Sequence, residues 1–462
     1  MSVVIETSAR ANHGRHTDRA AQIVAAWAAA EDFGNDYVVY EGPGGWHFAA
    51  TPRATVELRK GSITTVLRSG ESTTATWTDD ASGAIADALD ALPFDEWQVF
   101  GWVGFDYCAA HHDLLDRVAD DAVLAVLMVP QTHVVLDPRG LASDGGFRAG
   151  AVRVVAVPDS MEAAELIARL AELADGAVEP AVARPVDVSE DVDDYRGRVA
   201  TAIDEISRGE YQKVIMSRRV DVPFTVDMPA TYARGRANNN PARSFLVSMD
   251  GMSAAGFSPE LVVATSADGE VVTEPLAGTR ALGVSDEHDR AAAAELRSDA
   301  KEIAEHAMSV AACFDEVAQV SLPGTTAVNE FMAIRERGSV QHLASTVRGE
   351  LAPDAGPWRA LAVIFPSITA SGIPKQPALD AIYRLEPDER GLYSGAVLTA
   401  SSDGAMEATL TLRTVFTTQG HSWLRAGAGI VEQSTPDREF TETVEKLSSV
   451  APFVVPAPEE RQ

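Results

Sequence analysis

Short apolar runs separated by polar residues fill much of the first third of the chain. Examples are Val56–Leu58, Ile63–Leu67 and Val99–Phe105, all within the stretch from Tyr37 to Val157. Runs of this length, bounded by turn-forming residues, are typical of strands, because a helix needs a longer periodic pattern. We therefore predict a region rich in short strands before residue 157.

Two stretches instead repeat their apolar residues with the period of a helix, over residues 160–174 and 193–208. The apolar positions are Met161, Leu166, Ile167, Leu170 and Leu173 in the first stretch and Tyr195, Val199, Ile203 and Ile206 in the second. Each pattern predicts an amphipathic helix. Residues 176–191 between them contain Pro180 and Pro185 and no periodicity, which indicates a linker or a long surface connection.

Two turn signals, Asp403-Gly404 and Gln419-Gly420, divide the region from Tyr393 to Ile430. They predict a three-stranded antiparallel meander. In that register Tyr393, Arg413 and the segment Gly427-Ala428-Gly429 form one row across the sheet. A phenol, a guanidinium and backbone amides in one row can bind a carboxylate. A strand arginine paired with an acidic side chain explains Arg413 about equally well.

Two polar residues interrupt apolar segments. Lys213 lies in the predicted strand Tyr211–Val222, where burial would lower its pKa and suit it to act as a base. Glu260 precedes the apolar run Leu261–Ala264, where burial would raise its pKa and suit it to act as an acid. A lysine that blunts an edge strand and an ordinary turn residue are the alternatives, and spacing alone does not choose between them.

Two pairs of glutamates, Glu302 with Glu305 and Glu439 with Glu442, have i,i+3 spacing on predicted helices. Each pair therefore lies on one helix face. Two such pairs facing each other would form an all-oxygen site suited to Mg²⁺. In a chain with 68 acidic residues, a solvated helix face is the favoured interpretation of either pair taken alone.

The surroundings of the second pair favour a metal-bridged anionic ligand instead. Ser434-Thr435-Pro436 predicts a helix start directly before the pair, and Lys446 follows Glu442 by four residues on the same face. The preceding segment Arg425–Ile430 is rich in small residues, so its backbone N–H groups can approach an anion closely.

Composition limits the classes of function. The chain has 462 residues, 46% of them hydrophobic, and a formal charge of −30, so it can bury a core but lacks the cationic surface that nucleic acid or an anionic membrane requires. The longest apolar run, Ala122–Val129, is too short to span a bilayer, and no signal peptide is recognised at the N-terminus. Cys108 and Cys313 predict buried thiols rather than a disulfide. We therefore expect a cytoplasmic protein.

Six segments of the C-terminal half occur in the order typical of one known family. They are Glu274–Arg280, Lys301–His306, Gln341–Thr346, Phe365–Lys375, Arg390–Gly395 and Arg425–Lys446, with a weaker match at Gly101–Tyr107. Together they resemble the chorismate-utilising enzymes, the group that contains anthranilate, aminodeoxychorismate, isochorismate and salicylate synthases. The chain is most similar to the salicylate synthases of siderophore pathways.

The resemblance implies an α+β fold. It is a large single domain with two packed antiparallel β-sheets, flanking helices and a deep central cleft. Residues 1–190 would form its N-terminal part, residues 191–455 the chorismate-binding catalytic part and residues 456–462 a frayed tail. The connection over residues 176–191 would then lie within one intertwined domain.

The resemblance also implies roles for individual residues. It maps a Mg²⁺ site to Glu302, Glu305, Glu439 and Glu442. It maps the general base to Lys213, the general acid to Glu260, and further pocket residues to His342 and Thr369, which a core histidine and a turn threonine would also explain. It maps the contacts to the substrate carboxylates to Gly278, Thr279, Tyr393, Arg413, Gly427, Ala428, Gly429 and Lys446.

The implied activity is the Mg²⁺-dependent conversion of chorismate to salicylate and pyruvate by way of isochorismate, by an enzyme that we expect to be a monomer. An isochorismate synthase that stops after the first step is the closest alternative, and an ammonia-using anthranilate or aminodeoxychorismate synthase component is another. The resemblance implies that Lys213 favours water as the nucleophile, since anthranilate synthases have glutamine at this position, but aminodeoxychorismate synthases also carry lysine and so remain an alternative. A di-iron carboxylate protein is less consistent, because it requires paired Glu-x-x-His motifs, and a non-catalytic chorismate-binding protein would not need Lys213, Glu260 and all four glutamates.

Overall fold

The computed structural model describes residues 17–142, 146–177, 182–282, 285–337 and 340–458. The strands are β1 Tyr37–Gly42, β2 Gly45–Arg59, β3 Ser62–Leu67, β4 Ser72–Thr76, β5 Gln98–Val103, β6 Val123–Leu136, β7 Val152–Ala156, β8 Lys213–Val222, β9 Arg243–Met249, β10 Met252–Ser258, β11 Leu261–Thr265, β12 Glu270–Thr273, β13 Leu276–Ala281, β14 Ala327–Arg337, β15 Val340–Glu350, β16 Gly372–Ile373, β17 Ala396–Ser401, β18 Met406–Leu410, β19 Thr414–Thr418 and β20 His421–Ile430.

The helices are α1 over residues 17–28, α2 Ala81–Asp90, α3 Ala163–Asp175, α4 Tyr195–Ser207, α5 Met228–Arg236, α6 Asp286–Leu296, α7 Ala300–Val320, α8 Pro357–Ile364, α9 Lys375–Leu385 and α10 Pro436–Leu447. The two helices predicted from periodicity are thus confirmed as α3 and α4, with ends shifted by one to three residues.

Two long strands, β2 and β6, carry the chain from one sheet layer to the other. They pair with each other along most of their length, but the register shifts next to Pro52 and Pro130, and Thr51 has a positive φ of 59°. Before this kink β2 also pairs with β1, and after it β2 pairs with β3. A proline cannot donate to the ladder, so the kink falls where the pairing is weakest.

The kink divides the antiparallel strands into two layers. One layer runs in the order β16, β8, β20, β19, β10, β9, β1 and the first half of β2. The other runs from the second half of β2 through β6, β5, β17, β18, β11 and β12 to β15. Because β1 pairs with β9 and β5 pairs with β17, the N-terminal and C-terminal parts of the chain are intertwined.

A buried apolar cluster fills the space between the layers. One layer contributes Val38, Tyr40, Phe245, Val247 and Phe416, and the other contributes Phe100, Val126, Met128 and Val397. Helices α4, α9 and α10 cover β8 and β20, while α7 packs against β13, β15 and α8. The predicted α+β fold with two packed antiparallel sheets and flanking helices is therefore confirmed.

The predicted three-stranded meander is wrong, although both of its turns are present. Strand β18 pairs with β17 and β11, whereas β19 pairs with β20 and β10. The chain leaves one layer after Leu410 and enters the other at Thr414, and Arg413 in this crossing has a φ of 51°. Turn residues specify a hairpin locally, but they do not specify which layer the next hairpin joins.

The connection predicted over residues 176–191 is anchored where the structure describes it. Val186 and Val188 are buried, and the Val186 N–H donates to the carbonyl of Ala451. Of the terminal segment predicted to fray, the Ala457 N–H donates to the carbonyl of Thr225 at 2.8 Å, and residues 459–462 lie outside the described residues. Both cysteines are buried free thiols, as predicted. Within the described ranges no helix combines the length and apolar character needed to cross a membrane.

Two stacked histidines lie on the long strands beside the interlayer cluster. His47 Nδ1 and His133 Nε2 are 3.0 Å apart. Burial, followed by the nearby Arg153, lowers the pKa of His47 to about 4, and burial and the neighbouring His47 lower the pKa of His133 to about 3. The folded protein therefore resists binding protons that the unfolded chain binds near pH 6.5.

We predict that acid destabilises the fold through this pair. Each histidine should lower the free energy of unfolding by roughly 2 kcal/mol between pH 8 and pH 5, because the unfolded chain takes up its proton first. Urea denaturation at both pH values measures the loss, and His133→Gln should reduce it. The same change at the exposed His421 is the control, and equal pH dependence in His133→Gln and the original chain would contradict the prediction.

Candidate functional site

The candidate residues converge where β8, β13 and β20 meet α7 and α10. Lys213 is the first residue of β8, pairs with Ile373 of β16 and is only 2% exposed. Gly429 of β20 lies opposite Ile215 of β8, next to this lysine. The ends of strands in separate parts of the sequence thus bring the lysine and the small-residue segment together.

Both glutamate pairs lie on helices, as predicted, with Glu302 and Glu439 in the first turns and Glu305 and Glu442 one turn later. In α7 the side chain of Asp299 caps the helix by accepting from the N–H groups of Lys301 and Glu302. In α10 Pro436 takes the first helical position, but the Thr435 side chain makes no capping bond. The helix start predicted from Ser434-Thr435-Pro436 is therefore correct in position, although the N-cap residue Thr435 makes no side-chain capping bond.

Three of the four carboxylates bind a basic side chain. Glu305 pairs with Lys213 at 2.7 Å, Glu442 pairs with Lys446 at 2.9 Å, and Glu302 lies 3.3 Å from Arg280. Glu439 is 2% exposed and forms no ion pair within the part of the chain that the structure describes. Burial, followed by its neighbour Glu305, raises the pKa of Glu302, and burial followed by Glu442 raises that of Glu439. Both pairs thus hold negative charge that the local cations do not fully compensate.

The helices α7 and α10 share one electrostatic environment. Burial would raise the pKa of Glu442, but Lys446 chiefly, and also Lys301 of α7, lower it overall. Burial would lower the pKa of Lys446, but Glu442 chiefly, and also Glu305 of α7, raise it overall. Among the described residues no group of three or more His, Cys, Asp or Glu side chains is close enough to hold a metal ion as it stands. The oxygen donors fit Mg²⁺ in kind, but the side chains would have to move closer together to bind it.

A buried carboxyl, Glu260, lies at the start of β11 and is 2% exposed. Burial raises its pKa to about 7, against the opposing effects of Ser367, Thr369 and Lys213. The hydroxyls of Ser367 and Thr369 both donate to the same atom, Oε1. Because Oε1 already accepts two hydrogen bonds, the exchangeable proton belongs on Oε2. Half of these carboxyls are protonated near neutral pH, which suits a group that donates a proton.

His342 connects two of the candidate binding elements. Its Nδ1 is 2.9 Å from the carbonyl oxygen of Gly278, and its Nε2 is 3.1 Å from a guanidinium nitrogen of Arg413. A carbonyl only accepts and a guanidinium only donates, so the proton of the ring lies on Nδ1. His342 therefore orients Arg413 and does not itself remain free to accept a proton at Nε2.

Three glycines allow the backbone to approach functional side chains. A Cβ on Gly278, whose φ is 63°, would lie 3.0 Å from Glu302, and a Cβ on Gly429 would lie 3.2 Å from both Glu305 and Lys213. A Cβ on Gly427 would lie 3.1 Å from the Tyr393 hydroxyl. Larger residues at these positions would displace the groups that define the site. The side chain of Thr279 lies outside the described residues.

The predicted row across the sheet exists only in part. Tyr393 and Gly427 are neighbours, and Lys446 Nζ donates to the Gly427 carbonyl at 2.8 Å. Arg413 instead contacts His342, because it lies in the crossing between the two hairpins. Ala428 is buried in β20 opposite Met216, so of this segment the backbone is the part that can meet a ligand.

Two sets of residues around the site have no local signal in the sequence. Ser367 contacts Glu260 from a segment more than a hundred residues away. The buried carboxylate of Glu386 binds Arg390 and Arg425 at 2.7 Å each; these two cations outweigh burial and lower its pKa to about 2. Arg390 also donates to the Ile215 carbonyl, so this cluster fixes β8 and β20 beneath the site. An open groove between α2 and the β3–β4 hairpin contains none of the candidate residues.

The sequence and the fold were compared with those of known proteins. The family described as chorismate binding enzyme matches residues 35–452. A salicylate synthase of Mycolicibacterium paratuberculosis is 44% identical over 438 residues, which are 95% of this chain and 93% of the relative. An anthranilate synthase component 1 of Halobacterium salinarum is 34% identical over 398 residues, 80% of this chain and 75% of the relative.

Solved structures share the fold. Anthranilate synthase component I from Streptococcus pneumoniae superposes with a TM-score of 0.71 at 24% identity, covering 91% of this chain and 93% of that one. The menaquinone-specific isochorismate synthase from Escherichia coli gives a TM-score of 0.66 at 21% identity, covering 93% and 90%.

We predict that Ser367→Ala raises the pKa of Glu260 above about 7. The change removes one donor to the ionised carboxylate, which should shift the pKa by roughly 0.5–1 unit. Carbon-13 NMR titration of glutamate-labelled protein, assigned with Glu260→Gln, measures it. Ser371→Ala is the control, because Ser371 donates to the Ser367 carbonyl and not to Glu260. An unchanged or lowered pKa in Ser367→Ala would contradict the assigned hydrogen bond.

Proposed function

This chain belongs to the chorismate-binding enzymes, and from that premise we propose that it converts chorismate into salicylate and pyruvate by way of isochorismate. The observation that carries the proposal is the presence of a buried lysine, Lys213, and a buried carboxyl, Glu260, in one electrostatic environment beside two glutamate pairs. The similarity to a salicylate synthase along nearly the whole chain supports the choice of product.

The substrate must be bound against an unfavourable field. Chorismate carries two carboxylates, and the chain has a net charge of −30, so attraction must come from local groups. We assign contacts with the carboxylates of the substrate to Lys446, Arg413, Tyr393 and the backbone of residues 427–429. We assign further contacts with them to Gly278 and Thr279 of β13. A Mg²⁺ ion held by Glu302, Glu305, Glu439 and Glu442 would act as a Lewis acid on the ring carboxylate.

The first step exchanges one hydroxyl for another. Lys213 must enter this step as the neutral amine, so the proton that it carries in its ion pair with Glu305 is first released to solvent. Water then attacks C2 of the ring and gives a proton to Lys213 Nζ, the ring double bonds shift, and the C4 hydroxyl leaves as water with a proton from Glu260 Oε2. Base and acid thus act on opposite ends of the same displacement. Thr369 and Ser367 hold Oε1 of the acid, which keeps Oε2 available.

The second step releases pyruvate from isochorismate. The hydrogen on C2 moves to the methylene carbon of the enolpyruvyl group while the C3–oxygen bond breaks, and the ring becomes aromatic. This intramolecular transfer needs no base, but it requires the side chain to be held over the ring. We assign that restraint to Arg413, which His342 orients.

We predict that the purified protein with chorismate and Mg²⁺ produces salicylate and pyruvate in equal amounts. Salicylate fluorescence and coupled detection of pyruvate measure the two products, and chelation of Mg²⁺ should abolish both. Isochorismate without pyruvate would overturn the second step and leave an isochorismate synthase. Anthranilate or aminodeoxychorismate formed with ammonia would overturn the choice of nucleophile.

Lys213→Ala and Glu260→Gln should each reduce kcat by about 10²–10⁴-fold, because each removes a proton-transfer group. Circular dichroism and thermal unfolding should show that both variants remain folded. Glu432→Gln, at an exposed position before α10, is the matched control and should keep full activity. A near-normal rate in either Lys213→Ala or Glu260→Gln would show that its assigned role is wrong.

A further inference from the structure

Helix α7 carries a third glutamate on its inward face, far beyond the candidate metal ligands. Glu316 follows Glu305 by eleven residues, a spacing that places it about 16 Å along the axis and close to the same azimuth. Buried residues between them, Ser309 and Cys313, continue that face. Glu316 is therefore oriented by the same rotation of the helix that orients Glu305.

Glu316 is held by one lysine. Its Oε1 lies 2.6 Å from Lys375 Nζ, and the two side chains are only 12% and 8% exposed. Lys375 is the first residue of α9 and also donates to the carbonyl of Ile364, the last residue of α8, at 2.9 Å. The lysine thus ties the two ends of the segment over residues 365–374 to each other and to α7.

That segment holds the other half of the candidate site. Its Ser367 and Thr369 donate to Glu260. Its Gly372 and Ile373 form β16, which pairs with β8 at Val214 and Lys213. The Glu316–Lys375 pair therefore joins the helix of the metal ligands to the segment that supports the acid and the base.

Stability alone does not account for this ion pair. Glu316 Oε2 is buried and has no hydrogen-bond partner among the described residues. Burial raises the pKa of Glu316 to about 7 in spite of Lys375. A buried ion pair with an unsatisfied oxygen is often no more stabilising than apolar residues of similar volume.

We propose that Glu316 and Lys375 are positioning residues whose ion pair fixes the rotation of α7 relative to the segment over residues 365–374. The inference rests on the proposed function for its effect on catalysis. A rotation of about 10° moves a carboxylate that lies about 6 Å from the helix axis by about 1 Å. A displacement of that size at a catalytic constellation can cost about 100-fold in rate.

The test separates positioning from stability with apolar replacements. Lys375→Met should lower Tm, because it leaves a buried carboxylate unpaired, and should lower kcat by about 10- to 100-fold. The double variant Lys375→Met with Glu316→Leu should recover Tm, since no charge stays unpaired, while kcat stays low. The single variant Lys375→Arg, which keeps the positive charge, should retain most of the kcat of the original chain. Recovery of kcat together with Tm in the double variant would overturn the proposal.

The ion pair between Arg236 and Glu41 provides a matched control. It is 2.7 Å long with side chains 9% and 14% exposed, and it joins α5 to β1 without contacting the candidate residues. Arg236→Met should lower Tm comparably to Lys375→Met and leave kcat unchanged. A similar loss of kcat in Arg236→Met would show that any lost buried ion pair slows the enzyme, which would overturn the specific role of Glu316 and Lys375.

A structural readout keeps this inference separate from the proposed function. In a crystal structure of the double variant the distance between Lys213 Nζ and Glu305 Oε1, 2.7 Å in the original chain, should lengthen as α7 turns. An unchanged distance would overturn the positioning role even if chorismate is the substrate. Absence of chorismate turnover by the original chain would overturn the proposed function and leave this distance as the deciding measurement.

Discussion

The concentration of negative charge at one point is the constraint on which the site depends. Two glutamate pairs, one on α7 and one on α10, share one electrostatic environment in a chain that is already strongly acidic, and burial removes the water that would screen them. Lys213, Lys446 and Arg280 each compensate one carboxylate, and the N–H groups at the start of each helix provide partial positive charge. At Glu302 and Glu439, burial and then the neighbouring glutamate raise the pKa of the carboxyl.

The layered sheet explains how these groups meet. Lys213 and Glu305 are far apart in sequence, yet β8, β20 and α7 bring them within 2.7 Å. The ion pairs of Glu386 with Arg390 and Arg425 lie beneath β8 and β20. Gly427 and Gly429 carry no side chains, so the backbone of β20 can lie close to Tyr393, Glu305 and Lys213. Catalytic geometry is thus distributed over strands whose relative position the two-layer core fixes.

Local features of the site could be predicted from the sequence because they depend on neighbours along the chain. The i,i+3 spacing places Glu302 with Glu305 on one face, and the periodic apolar residues identify α3 and α4. The arrangement of the sheet layers came from the resemblance to a family and not from periodicity. The contact between Ser367 and Glu260 could not be predicted, because the residues around Glu260 in the sequence give no sign of which distant hydroxyl binds it. The meander failed for the same reason, since its turns were correct but its middle strand is divided between the two layers, as β18 and β19.

The crossing over residues 411–413 places Arg413 in the short connection between the two sheet layers. This three-residue segment connects a hairpin in one layer to a hairpin in the other. Arg413 itself has a left-handed backbone conformation, and so short a connection cannot extend much further. Sliding of one sheet over the other would strain this connection, so the position of the Arg413 guanidinium depends on the relative position of the two layers. The cohesion of the apolar cluster between the layers therefore determines how precisely the Arg413 guanidinium is positioned.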